Sequence, residues 1–193
     1  MISRPGTRFP VDVTVESRSG AIRIADLLNH GPLVLAFHRL WCPFCQQAAR
    51  DLAGVGDRLR EHGAQIAIVY REDIDTVARS CVERGLGVEC LSDPGRELET
   101  AAEVERFSIR RYGAFSPAKL VAALRSGSRI GAVKADVLQG RGTFVIDTDG
   151  RVVYEHRATT AADIPAIDDV LAAVRSIRVQ DAARYIEPAD GDR

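Results

Sequence analysis

The chain of 193 residues is short of several things, and each shortage narrows what it can be. It has only four cysteines, too few for a domain held together by a disulfide framework. Its net charge of −1 gives no general attraction to nucleic acid or to a membrane surface. No apolar run is long enough to span a bilayer. The opening residues, MISRPGTRFPVDV, lack the apolar centre of a secretory signal, so a cytoplasmic location is the expectation. Internal repeats and low-complexity tracts are missing too. What remains suits one globular domain over residues 1–178, with a flexible tail over 179–193.

Hydrophobic patterning supplies the elements. Val11 to Glu16 alternates as a strand or hairpin arm, and Pro32 to His38 is continuously apolar, as in a strand buried on both faces. From Pro43 the period changes, and Cys45, Ala48, Leu52, Val55 and Leu59 share one helical face that Gly63 closes. QIAIVY (Gln65–Tyr70) returns as a second strand, which makes a βαβ unit with parallel strands. A helix over Asp73–Arg84, a strand over Val88–Leu91 and a helix opened by DPGRELETAAEV follow, with Asp93 as cap and Pro94 in its first turn. Thr143–Ile146 and Val152–Tyr154 flank DTDG, a hairpin turn, before a closing helix with Ile167, Val170, Leu171, Val174 and Ile177 inward. The order predicts an α/β thioredoxin-like fold: a central mixed sheet flanked by helices, with an N-terminal hairpin. A basic helical insertion over about 106–141 precedes the last hairpin.

Two of the four cysteines stand in WCPFC, at the junction of strand and helix. Only a thiolate attacks a peroxide or a disulfide, and a helix N-terminus stabilises one. Cys42 ends the loop, Pro43 opens the helix and Cys45 lies one turn in, close enough for a reversible disulfide. A zinc site or a chance pair of buried thiols are the alternatives, although zinc needs about four ligands and Cys81 and Cys90 look like core residues. Position leaves the order of attack open. Cys45 shares the inward stripe, whereas Cys42 at the tip should be the more exposed. His38 reads as a satisfied packing residue or a proton carrier, and Trp41 as a shield for the thiols or plain packing.

WCPFC after an apolar strand, LSDPGRELETAAEV and GTFVIDTDGRVVY resemble the peroxiredoxins of the alkyl hydroperoxide reductase/thiol-specific antioxidant (AhpC/TSA) family, over about Gly6 to Val174. GAVKADVLQGRGTFVID and HRATTAADIPAIDDVLAAV are similar to the peroxiredoxin-like branch that includes prostamide/prostaglandin F synthase. The resemblance implies a thioredoxin-like fold and a thiol-dependent peroxidase without a bound cofactor. Its substrate would be a hydroperoxide, and an external dithiol such as thioredoxin, or a low-molecular-weight thiol, would reduce it again. It also implies a possible homodimer. The family pattern of Pro, three residues, Thr or Ser, two residues and the peroxidatic Cys falls on His38, Cys42 and Cys45. The hydroxyl that orients peroxide is therefore replaced by a second thiol, a resolving partner within the same turn. The family arginine falls on Arg141, which would stabilise the thiolate and the departing oxygen; a solvated loop arginine is the plainer reading.

The insertion carries Arg106, Arg110, Arg111, Lys119, Arg125, Arg129, Lys134 and Arg141 against Asp136 alone, a local charge of +7. With Phe107, Tyr112 and Phe115 interleaved it could form an entrance for anionic hydroperoxides, or simply a solvated basic loop. Together these features predict an antioxidant oxidoreductase cycling through a CxxC pair, with Cys42, Cys45 and Arg141 as its catalytic residues. A general disulfide reductase led by Cys42 and a redox-sensing binding protein are the alternatives.

Overall fold

The computed structural model describes residues 5–104, 106–108, 117–130, 138 and 140–186. Its centre is the apolar run read from the sequence, β3 (Leu33–Phe37), with every residue buried. Because strand side chains alternate, β3 feeds two cores. Leu33, Leu35 and Phe37 pack on one face of the sheet, and Val34 and Ala36 on the other. His38 follows Ala36 by two residues and so continues the second face.

The sheet grows on both sides of β3. On one side it pairs in parallel with β4 (Gln65–Tyr70), which pairs in parallel with β5 (Glu89–Ser92). An N-terminal hairpin of β1 (Thr14–Ser17) and β2 (Gly20–Arg23) completes that edge. On the other side β3 pairs antiparallel with β6 (Gly142–Ile146), which pairs with β7 (Val152–Arg157). The order is β2-β1-β5-β4-β3-β6-β7. The turn between β6 and β7 is the expected one, with Gly150 at φ 79°, a conformation that glycine adopts without strain.

One face carries α2 (Pro43–Gly54), α3 (Gly56–Glu61), α4 (Ile74–Glu83) and the closing α7 (Ile167–Ile186). The opposite face is covered by α1 (Ile24–Leu28) and α5 (Glu97–Ala101), with Phe9 and Val104. The insertion contributes α6 (Pro117–Arg125), which packs on α2. Tyr112, Phe115, Arg110, Arg111, Lys134 and Asp136 lie outside the described residues, whereas Phe107 is buried.

Four expectations need correction. The helix read as continuous from Pro43 to Gly63 breaks at Val55, between two residues of poor helix propensity, Gly54 and Gly56. The helix expected from Asp93 starts only at Glu97. Asp93 caps it from a turn away, accepting the N–H groups of Glu97 (2.9 Å) and Glu99 (3.0 Å), so Pro94 stands in the turn and not in the helix. The tail boundary expected at residue 178 falls inside α7, which continues to Ile186. Finally, Cys81 and Cys90 are not independent core thiols: a disulfide joins them, with Cα atoms 6.8 Å apart. The end of α4 and the start of β5 are neighbours, and two side chains directed at the same core layer meet across them.

Candidate active site

The two cysteines of WCPFC sit where the sequence places them. Cys42 is the last extended residue before α2 (φ −84°, ψ 119°), Pro43 opens the helix, and the Cys42 carbonyl accepts the Gln46 N–H at 3.0 Å. Proline loses nothing there, since the first helical amides have no partner within the helix. Both thiols are free and both are buried, Cys42 with 8% and Cys45 with 1% of its surface exposed. Cys42 is the more exposed of the two, as expected, but neither thiol is open to solvent. The reason is a cap of Trp41, Phe44, Ala161 and Ala162, closed by Leu120 and Ala123 of α6.

Arg141 reaches this pair from the residue just before β6. It is 6% exposed, so it is not a solvated loop residue. Its Nη1 donates to Cys45 Sγ at 3.5 Å, while Nη2 donates to the carbonyls of Thr160 (3.1 Å), Ala161 (2.6 Å) and Asp163 (3.0 Å). The Asp163 carboxylate shapes that loop by accepting the Thr159 N–H (2.7 Å) and hydroxyl (2.8 Å). One guanidinium thus ties the loop after β7 to a sulfur at the head of α2.

The surroundings drive the two thiols apart. Burial opposes ionisation of Cys45, but a hydrogen bond from the Cys42 thiol and the charge of Arg141, with smaller contributions from His38 and Arg39, outweigh it. The Cys45 thiol is held well below its ordinary value of 9.0. Cys42 is pushed up instead, first by its hydrogen bond to Cys45, then by burial and by the negative charge beside it. Arg141, despite burial, is raised by the sulfur it faces and stays charged. The two shifts favour the thiolate at Cys45 and the thiol at Cys42.

Several residues here have no plain signal in the sequence. Arg39 is 3% exposed; its Nη1 donates to the His38 carbonyl (2.8 Å) and its Nη2 to the Gly140 carbonyl (3.1 Å), and Glu99 lies 3.6 Å away. Gln46 fastens the insertion to the site: its Nε2 donates to the Leu40 (2.8 Å) and Arg129 (2.9 Å) carbonyls, and its Oε1 accepts the Arg129 N–H (2.8 Å). His38 is not the satisfied packing residue first expected. It is 3% exposed, and its Nδ1 has no hydrogen-bond partner among the described residues. Cys81 and Cys90, bonded to each other, are not available to hold zinc with the CxxC pair.

A thiolate and a thiol at the head of a helix on a thioredoxin-like sheet define a thiol-dependent oxidoreductase. The sequence profile of the AhpC/TSA family matches residues 5–155, and the chain belongs to that family, a family of thiol peroxidases. Among solved structures it is similar to the peroxidoxin BcpB from Mycobacterium tuberculosis, with 22% identity, a TM-score of 0.67 and coverage of 91% of this chain and 98% of that one. It is similar also to peroxiredoxin Q from Xanthomonas campestris, with 21% identity, a TM-score of 0.65 and coverage of 89% and 97%. A yeast mitochondrial 1-Cys peroxiredoxin shares 14% identity at a TM-score of 0.66, covering 98% of this chain and 83% of that one. These likenesses establish the fold. No curated protein sequence matches the chain.

Proposed function

We propose that this protein reduces hydroperoxides through Cys45, with Cys42 as the resolving thiol and Arg141 as the electrostatic helper. The Cys45 thiolate attacks the terminal peroxide oxygen. An S–O bond forms, the O–O bond breaks, and the sulfur is oxidised to a sulfenic acid while an alkoxide leaves and takes up a proton. The Cys42 thiol then attacks that sulfur, forming a disulfide, and its proton leaves with the displaced hydroxide as water. Two equivalents of an external thiol, from a protein such as thioredoxin or a small thiol, restore the pair.

The observation that carries the reading is the opposite push on neighbouring sulfurs, with a guanidinium 3.5 Å from the one made anionic. Arg141 is placed to stabilise charge both before and after attack. Burial of both sulfurs suits a small oxidant such as a hydroperoxide.

Stopped-flow mixing with hydrogen peroxide tests the assignment. Cys45→Ser should abolish peroxide consumption. Cys42→Ser should keep the first oxidation and stall at the sulfenic acid, which a dimedone adduct reports by mass. Consumption that survives in Cys45→Ser, or is lost only in Cys42→Ser, reverses the roles.

A further inference from the structure

Cleavage of a peroxide by a thiolate leaves an alkoxide, and in this site the hydroxyl that would face the peroxide has been replaced by Cys42. A source for the missing proton lies beneath the thiols. His38, Arg141, Thr143, His156 and Asp163 line a cavity of about 10 Å³, close to the room taken by one water molecule. The strand register builds it. Thr143 of β6 stands between Ala36 of β3 and His156 of β7, so His38, Arg141 and Thr143 extend along one face toward His156.

The polar atoms around this cavity are unusually short of partners. Nδ1 of His38 and Nε of Arg141 are buried without a hydrogen bond among the described residues. A buried polar atom left so costs about 1–3 kcal/mol, and a bridging water removes that cost. On the outer side, His156 Nε2 lies 3.2 Å from Asp163 Oδ1, and these side chains keep 24% and 27% of their surface exposed. His156 Nε2 is itself buried, so bulk solvent meets only the remainder of these two side chains, while the inner end is a histidine close enough to Cys45 for each to shift the other's ionisation.

We propose that His38 delivers the proton to the departing oxygen and recovers it through one water in this cavity from the His156–Asp163 pair. The inference rests on Cys45 being the attacking sulfur. As the O–O bond breaks, one ring nitrogen of His38 gives its proton to the alkoxide, which leaves as the alcohol. The other nitrogen takes a proton from the water, His156 restores the water, and bulk solvent restores His156. The groups facing His38 are Cys45 of α2, the adjacent Arg39, Arg141 before β6, His156 of β7 and Asp163 of the following loop. Burial and the two arginines keep the ring neutral, its value lowered to about 4, so it passes a proton on and does not store one.

Two oxidants of similar size separate this role from a structural one. Ethyl hydroperoxide expels an alkoxide that must be protonated; peracetic acid expels a stable carboxylate that need not be. Oxidation of Cys45, followed through the single tryptophan, Trp41, is compared for His38→Asn and His156→Phe. With ethyl hydroperoxide, His38→Asn should slow about 100-fold, as for loss of a general acid, and His156→Phe about tenfold. With peracetic acid His156→Phe should stay near the parent rate, and His38→Asn, which also loses a small support of the Cys45 thiolate, should slow far less than with ethyl hydroperoxide. Equal slowing with both oxidants, or no slowing of His156→Phe with ethyl hydroperoxide, overturns the relay. If His38→Asn does not fold, His156→Phe decides alone. Peroxide consumption surviving in Cys45→Ser would instead bring down the reading beneath it.

Discussion

At the scale of single residues, the site is a contest between burial and charge. Burial alone would keep every thiol neutral and every base unprotonated. For His38 burial wins, and the ring is lowered from 6.5 to about 4. The linkage has a definite sign. Between those values the unfolded chain binds a proton at this position and the folded chain does not, so stability is complete above about pH 6.5 and falls as pH drops toward 4. The shift corresponds to a loss of about 3 kcal/mol, to order of magnitude. Urea denaturation at pH 7 and at pH 4.5 should show this loss in the parent and much less of it in His38→Asn. The same slope in both would mean that other groups cause it. For Cys45 charge wins, because Arg141 and the Cys42 thiol converge on one sulfur.

At the scale of elements, helix starts and strand ends do the positioning. The boundaries of β3, β4 and α4 were legible from periodicity, and the structure adds that Asp73 caps α4, its carboxylate accepting the Thr76 N–H at 3.0 Å. The break at Val55 was not, because Leu59 stays on the buried face on both sides of it and the apolar stripe runs through unbroken. The Cys81–Cys90 bond was hidden for a similar reason: two inward cysteines on α4 and β5 look alike whether they pack or pair. Closing a loop of nine residues should contribute about 2–3 kcal/mol. The Cys81→Ser/Cys90→Ser variant should lose that much in urea denaturation under oxidising conditions and keep the parental rate of Cys45 oxidation. Equal stability would show that the bond does not form in solution.

At the scale of the whole molecule, the two faces of the sheet are tied together through one carboxylate. Glu99 of α5 is buried among Arg71 at 2.8 Å, Arg39 at 3.6 Å and Arg96 at 3.7 Å. Arg71 follows β4, and Arg39 follows β3 and leads into the CxxC loop, so the carboxylate couples the far helical layer to the backbone beneath the thiols. Glu99→Gln leaves buried guanidinium groups without a counter-ion and should cost about 3–5 kcal/mol in chemical denaturation. Stability equal to the parent's would show that the other contacts of Arg39, to the carbonyls of His38 and Gly140, suffice. α6 acts at the same scale, since a segment distant in sequence closes over the thiols and makes both of them interior residues.

The sequence by itself determined the alternation of elements, the face each one buries, the placing of a cysteine pair at a helix start and the family to which the chain belongs. Those are local matters of period, capping and motif, and they need no knowledge of what lies across the sheet. Only the tertiary structure decided which sulfur carries the charge, that Arg141 faces it, that α6 covers it, and that His38 looks through a small cavity toward His156. Each of these depends on register between β3, β6 and β7 or on burial beneath a distant segment. Ionisation in a protein interior is governed by charges a few ångströms away in space, at whatever separation along the chain.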